Sequence, residues 1–236
     1  GLTYDAYLER LPDGVRGIAL DLPSAGASRP ARGFAPTWNG FADAVLQAAD
    51  ALGLESFELV GHSMGGGIAI LVAAHAPERV ERLALLDAVS FPFSVPVKGR
   101  LPLVPGLGRL LFYVYGERMF VDYFAKDVFH DARSMDLEKV RLHYRIFTRR
   151  RREALACLRA TADPSPVAAR AGRVRCPTLV LWGEHDDLVP RHVARRIEAT
   201  VPDARLEIVP AAGHSPIEER PDATAAVLNE FFESRA

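Results

Sequence analysis

Phe57-Glu-Leu-Val-Gly-His-Ser-Met-Gly-Gly-Gly-Ile-Ala-Ile70 reads as a strand, a tight turn and a helix in immediate succession. Phe57–Val60 is a short apolar run, and Gly61-His62-Ser63-Met64-Gly65 matches the pattern G-x-S-x-G. Gly65–His75 then carries a helical pattern of small and aliphatic residues. In such a turn the serine takes a strained backbone conformation that presents its hydroxyl at the C-terminal edge of a sheet. Glycines on both sides relieve the crowding. The helix start behind the serine offers N–H groups that favour developing negative charge, which makes the N–H of Met64 a candidate oxyanion donor. His62 is read as a packing or hydrogen-bonding residue, because its side chain should point away from Ser63 across the turn.

Outward from this stretch the chain alternates short apolar runs with longer helical patterns, the signature of a parallel sheet flanked by helices. Strands are expected near Gly17–Asp21, Phe57–Val60, Leu83–Leu86, Thr178–Trp182 and Arg205–Val209. Besides Gly65–His75, helices are expected at Trp38–Leu52, His192–Val201 and Pro221–Glu233. The gap between the third and fourth of these strands breaks the rhythm. It opens with Phe-Pro-Phe-Ser-Val-Pro at 91–96 and gathers Phe112, Tyr113, Tyr115, Phe120, Tyr123, Phe124 and Phe129. This gives a helical insertion at 90–170 and a core at 1–89 and 171–236. The aromatics either form the insertion's own core or line a pocket over the site. The basic run Arg149–Arg152 is taken as a solvated helix face.

Composition limits the alternatives. A formal net charge of −1 provides no field to recruit nucleic acid. The two cysteines, Cys157 and Cys176, cannot build a disulfide framework and lack metal-ligand spacing. No run reaches the roughly 18 apolar residues of a membrane span, and no signal peptide opens the chain, so the expected setting is cytoplasmic. The oligomeric state is left open.

A serine hydroxyl needs a base, and the base needs a group that holds its tautomer. Thr178-Leu-Val-Leu-Trp-Gly183 leads into the acidic loop Glu184-His185-Asp186-Asp187. Arg205-Leu-Glu-Ile-Val209 leads into Pro210-Ala-Ala-Gly-His214-Ser-Pro216. The order serine, carboxylate, histidine therefore follows successive strand ends.

These residues together resemble the α/β-hydrolase family, of the kind with a helical cap. Gly61-His-Ser-Met-Gly-Gly66 resembles its nucleophile elbow. Trp182, Gly183, Asp186 and Pro190 meet its Trp-Gly-x-x-Asp-x-x-x-Pro. Gly213, His214, Pro216, Glu219 and Pro221 meet its Gly-His-x-Pro-x-x-Glu-x-Pro. The resemblance runs from Gly1 to the C-terminus and implies Ser63 as nucleophile, Asp186 as acid and His214 as base. Asp187 is one residue out of register, and Asp87 occupies a position from which some family members supply the acid. His75, His130, His143, His185 and His192 are expected at the surface or in local packing.

Two departures accompany the resemblance. The family's first strands and its His-Gly oxyanion loop are not found before Gly1-Leu-Thr-Tyr-Asp, so the sheet is expected either to close a gap between Gly17–Asp21 and Phe57–Val60 or to leave exposed edges. In addition, Asp21-Leu-Pro-Ser-Ala-Gly-Ala-Ser28 has Ser24 where the family has glycine. The implied activity is hydrolysis of a small, largely apolar acyl substrate through an acyl-enzyme, with no metal or organic cofactor. Such activity should rise with pH through the ionisation of an imidazole base, at about pH 6.5–7. Cleavage of a carbon–carbon bond beside a ketone, of the meta-cleavage type, is the alternative. An aminopeptidase comes third, and a non-catalytic binding or scaffold module is the reading from another class.

Overall fold

The computed structural model describes residues 2–95 and 97–234; Gly1, and Pro96 at the end of the Phe-Pro-Phe-Ser-Val-Pro run, lie outside the described residues. Four parallel strands, β1 (Phe57–His62), β2 (Val80–Leu86), β3 (Thr178–Gly183) and β4 (Ala204–Val209), pair in the order in which they occur. Gly61 lies opposite Leu85, Leu85 opposite Val180, and Val180 opposite Leu206. Each parallel pair needs a crossover. The Met64–His75 helix makes the first, the Arg191–Thr200 helix the last, and the long helical segment 97–173 the middle one.

The sheet is covered on both faces, which explains why its strands read as continuous apolar runs. Leu83, Leu85, Val180 and Trp182 pack with Trp38, Phe41, Ile68, Val193 and Ile197 on one face. Ala84, Leu86, Leu179 and Leu181 pack with Tyr7, Ile217, Leu228 and Phe231 on the other. The period of two along β2 and β3 thus divides their side chains between two cores. Thr37 starts the Trp38–Ala51 helix by accepting the N–H of Gly40 at 3.1 Å.

One expected strand is corrected. Gly17–Asp21 takes no regular secondary structure and joins no ladder, and among the described residues β1 is an edge strand paired only with β2. The residues from Gly17 to Leu20 instead face β1 across a partly open, mostly apolar cavity of about 590 Å³, too far apart for a ladder. The gap is neither closed by direct pairing nor flanked by two strand edges. Just beyond, Ser24 adopts φ +70°, a left-handed conformation that favours glycine. Asp21 steadies this loop by accepting the N–H of Ala27 at 2.8 Å.

Between β2 and β3 the helices Leu107–Val114, Glu117–Tyr123, Leu137–Arg149 and Arg151–Ala160 are held by their aromatic side chains. Phe120 meets Tyr115, Phe124, Tyr144 and Phe147 with ring centroids 5.0–6.2 Å apart, and Phe112 meets Phe147 at 5.5 Å. Most of these rings therefore form the segment's own core, whereas Tyr113 is exposed. The basic run is not simply a solvated face. Arg150 donates to the carbonyl of Ser28, and Arg151 donates to the carbonyls of Phe112 and Tyr113.

Candidate active site

Each strand ends in one polar residue on the same edge of the sheet. Ser63 follows β1, Asp87 follows β2, Asp186 lies three residues past β3, and His214 five residues past β4. The crevice beyond the carboxyl ends of parallel strands is where open α/β sheets place their ligands.

Ser63 sits at φ +52°, ψ −120°, a conformation a non-glycine residue adopts only when its surroundings enforce it. The enforcement is visible. Its N–H donates to Leu86 O at 2.9 Å, and its carbonyl accepts from Gly66 at 3.0 Å and Val89 at 3.0 Å. The glycines that permit the turn are not those flanking the serine symmetrically. A Cβ on Gly61 would lie 2.5 Å from Gly65 O, and one on Gly66 would lie 2.4 Å from the Ala88 Cβ, whereas one on Gly65 would meet open space. The crowding is thus at residues 61 and 66. Met64 is the first helical residue, so its N–H has no intrahelical partner.

The structure brings Ser63, His214 and Asp186 into one hydrogen-bonded row. His214 Nε2 is 2.9 Å from Ser63 Oγ, and His214 Nδ1 is 2.9 Å from Asp186 Oδ2. Burial alone would raise the Asp186 pKa. The hydrogen bond and charge of His214, together with the N–H groups of Val189 and Leu188, outweigh it and hold the carboxyl below its ordinary range. Asp187 is exposed on the same loop and takes no part in the row. Asp87 is buried beside it, but its Oδ1 accepts the N–H of Gly183 at 2.9 Å and it makes no hydrogen bond to His214. β3 and the His214 loop can approach this closely because residue 183 is glycine; a Cβ there would fall 1.9 Å from Gly213 O.

Two supporting residues were not assigned these roles from the sequence. His62 Nε2 lies 2.6 Å from the carbonyl oxygen of His214, so a protonated Nε2 donates to the backbone of the base. Burial, followed by the nearby His214, pushes the His62 pKa down to about 4 and keeps its ring neutral. Glu219 accepts the N–H groups of Gly213 at 2.6 Å, His130 at 2.8 Å and Asp131 at 3.2 Å. It thereby clamps the His214 loop to the helical segment. Its place in the Gly-His-x-Pro-x-x-Glu motif was the available signal; its partners His130 and Asp131, 89 and 88 residues away in sequence, were not. Among the other histidines, His130 and His185 stack on each other at 3.8 Å, and His143 packs against Phe124.

Among the described residues, Asp87, Asp186 and His214 are the group with ligand atoms close enough to hold a metal ion, all within 4.8 Å. Both ring nitrogens of His214 are already engaged by Ser63 and Asp186, which leaves no lone pair for an ion. The donor set suits a proton relay better than a metal.

A family model for the alpha/beta hydrolase fold matches residues 5–221. The chain belongs to the alpha/beta hydrolase fold family. The uncharacterized hydrolase YugF of Bacillus subtilis is 28% identical over 221 residues, covering 91% of this chain and 79% of that protein. A 2-hydroxymuconate semialdehyde hydrolase of Pseudomonas putida is 30% identical over 229 residues, covering 92% and 76%. A thermophilic esterase from Thermogutta terrifontis shares the fold with a TM-score of 0.75 at 24% identity, over 98% of this chain and 84% of that one. No helix among the described residues is long and apolar enough to cross a membrane.

Proposed function

We propose that this alpha/beta hydrolase cleaves a small, largely apolar ester-type acyl substrate through a Ser63–His214–Asp186 triad. The observation that carries the proposal is His214 bridging Ser63 Oγ and Asp186 Oδ2 at 2.9 Å on each side. In this mechanism Ser63 Oγ attacks the substrate carbonyl carbon while His214 Nε2 takes the hydroxyl proton. Asp186 holds Nδ1–H and stabilises the imidazolium. The N–H of Met64 donates to the tetrahedral oxyanion. Collapse expels the leaving group, which receives the proton from His214, and an acyl-enzyme remains. Water then attacks with His214 again as base, releasing the acid and restoring Ser63.

Residues 90–170 are proposed as a cap that sets substrate choice. The placement of residues 128–131 supports this role: Val128 O accepts the N–H of His214 at 2.7 Å, and Glu219 accepts the N–H groups of His130 and Asp131. A second reading, hydrolysis of a carbon–carbon bond beside a ketone, is favoured by the 30% identity to the semialdehyde hydrolase. It uses the same triad, with a carbanion-equivalent fragment leaving in protonated form.

Intact mass after treatment with a fluorophosphonate tests the triad. A single adduct is expected that is absent from Ser63→Ala, with kcat on a p-nitrophenyl ester lowered about 10⁴-fold or more in that variant. Folded protein that takes no adduct would remove the catalytic reading and leave a binding or scaffold module. Rapid turnover of a ring-fission dienoate, with esters poor by comparison, would select the carbon–carbon reading.

A further inference from the structure

The triad uses the residues following β1, β3 and β4 and leaves out the one following β2. Asp87 is fully buried, at φ +46°, and its N–H donates to Leu181 O at 3.1 Å. Its Oδ1 accepts from Gly183, but its Oδ2, also buried, finds no donor among the described residues. The titratable groups that face it are Asp186 from the loop after β3, His214 from the loop after β4 and Glu219 from the Pro216–Glu219 turn. Oxygens of Asp87 and Asp186 and a ring nitrogen of His214 lie within 4.8 Å of one another. Ionising two buried carboxylates this close is strongly disfavoured, so one of them tends to keep its proton. Asp186 has His214 and two backbone N–H groups to hold its charge, whereas Asp87 has one N–H and a bare oxygen.

We propose that Asp87 is a neutral carboxylic acid whose Oδ2–H donates to the Asp186 carboxylate, making it a positioning residue for the acid of the triad. The proposal deepens the Ser63–His214–Asp186 reading and rests on it. The bare Oδ2 then needs no outside donor, because it carries its own proton. Burial and the charge of Asp186 both act in that direction, raising the Asp87 pKa well above the ordinary range. The shared hydrogen bond holds the Asp186 carboxylate against rotation, with Oδ2 of Asp186 facing His214. It also keeps the field at His214 to one negative charge rather than two.

The direct test is an infrared difference spectrum of wild type against Asp87→Asn at pH 7. A protonated-carboxyl C=O band that is present in wild type, shifts in D₂O and vanishes in the variant is expected. Its absence would overturn the proposal whatever the enzyme's activity. A band found in a protein with no hydrolase activity would instead refute the triad reading and leave Asp87 as a neutral acid. The pH profile of kcat/KM on p-nitrophenyl butyrate supplies the second readout. Asp87→Ala, which loses the donor, should lower kcat about tenfold with little change in KM, and Asp87→Asn, which keeps an N–H donor, should restore most of it with the acidic limb unmoved. A limb displaced to lower pH by about one unit in Asp87→Asn would show that an anion had been removed, and would overturn the proposal.

Discussion

His62 shows how one residue can serve both the site and the stability of the fold. Its ring lies half-buried beside His214 and donates to the backbone of that residue, and desolvation pushes its pKa from the ordinary 6.5 down to about 4. A histidine whose folded pKa is depressed binds fewer protons folded than unfolded between those values, so stability falls as pH drops from about 6.5 towards 4. The contribution is fully present above about 6.5 and amounts to as much as about 3 kcal/mol. Thermal melts from pH 7.5 to 4.5 should therefore show a falling Tm in wild type and a flatter course in His62→Gln. Equal slopes in the two proteins would place the acid sensitivity elsewhere. The sequence marked His62 as a packing or hydrogen-bonding residue beside the serine, and only the return of the β4 loop over β1 supplied its acceptor.

At the scale of the element, the helix that begins at Met64 is seated by what it lacks. Residues 66 and 67 pass so close to Ala88 and Val89 that a Cβ at Gly66 would lie 2.4 Å from the Ala88 Cβ, and one at Gly67 would lie 2.3 Å from Val89 O. This contact draws the loop after β2 against the serine turn and lets Val89 N–H donate to Ser63 O. Gly66→Ala should lower stability by about 1–3 kcal/mol through overpacking, read as a lower denaturant midpoint. Gly65→Ala, open to space at its Cβ, should be nearly silent in the same titration. A Gly65→Ala effect as large as that of Gly66→Ala would contradict the packing argument. The G-x-S-x-G pattern singles out residues 61 and 65, yet the tight contacts are at 61, 66 and 67.

At the scale of the molecule, the helical segment and the base share their supports. His214 N–H donates to Val128 O at 2.7 Å, Glu219 accepts from His130 and Asp131, and Lys139 pairs with Glu218 at 3.0 Å. Movement of residues 128–139 is thereby linked to the loop that carries His214. Burial raises the Glu219 pKa against the pull of its three N–H partners, so this clamp is costly to unpair. Glu219→Gln sets an NH₂ group against N–H donors. It should speed hydrogen exchange at Gly213, His130 and Asp131 and lower kcat together with stability. Unchanged exchange at His130 and Asp131 would mean that Glu219 does not join the two parts.

The sequence by itself determined the residues whose constraints are local. The strand–turn–helix around Ser63 declares itself because tight backbone geometry demands particular residues within a few positions. The strands from Phe57, Thr178 and Arg205 are legible because burial on both faces leaves continuous apolar runs. Asp186 and His214 were marked by the family's motifs, and their meeting with Ser63 required only that parallel strands end on one edge. Gly17–Asp21 misled because an apolar run records burial, not pairing, and a ladder needs a neighbour about 5 Å away. The cluster of Asp87 with Asp186, the acceptor of His62 and the partners of Glu219 were decided by the tertiary structure alone. Each depends on which loops from different strands come within hydrogen-bond distance, and that distance has no trace in the spacing of residues along the chain.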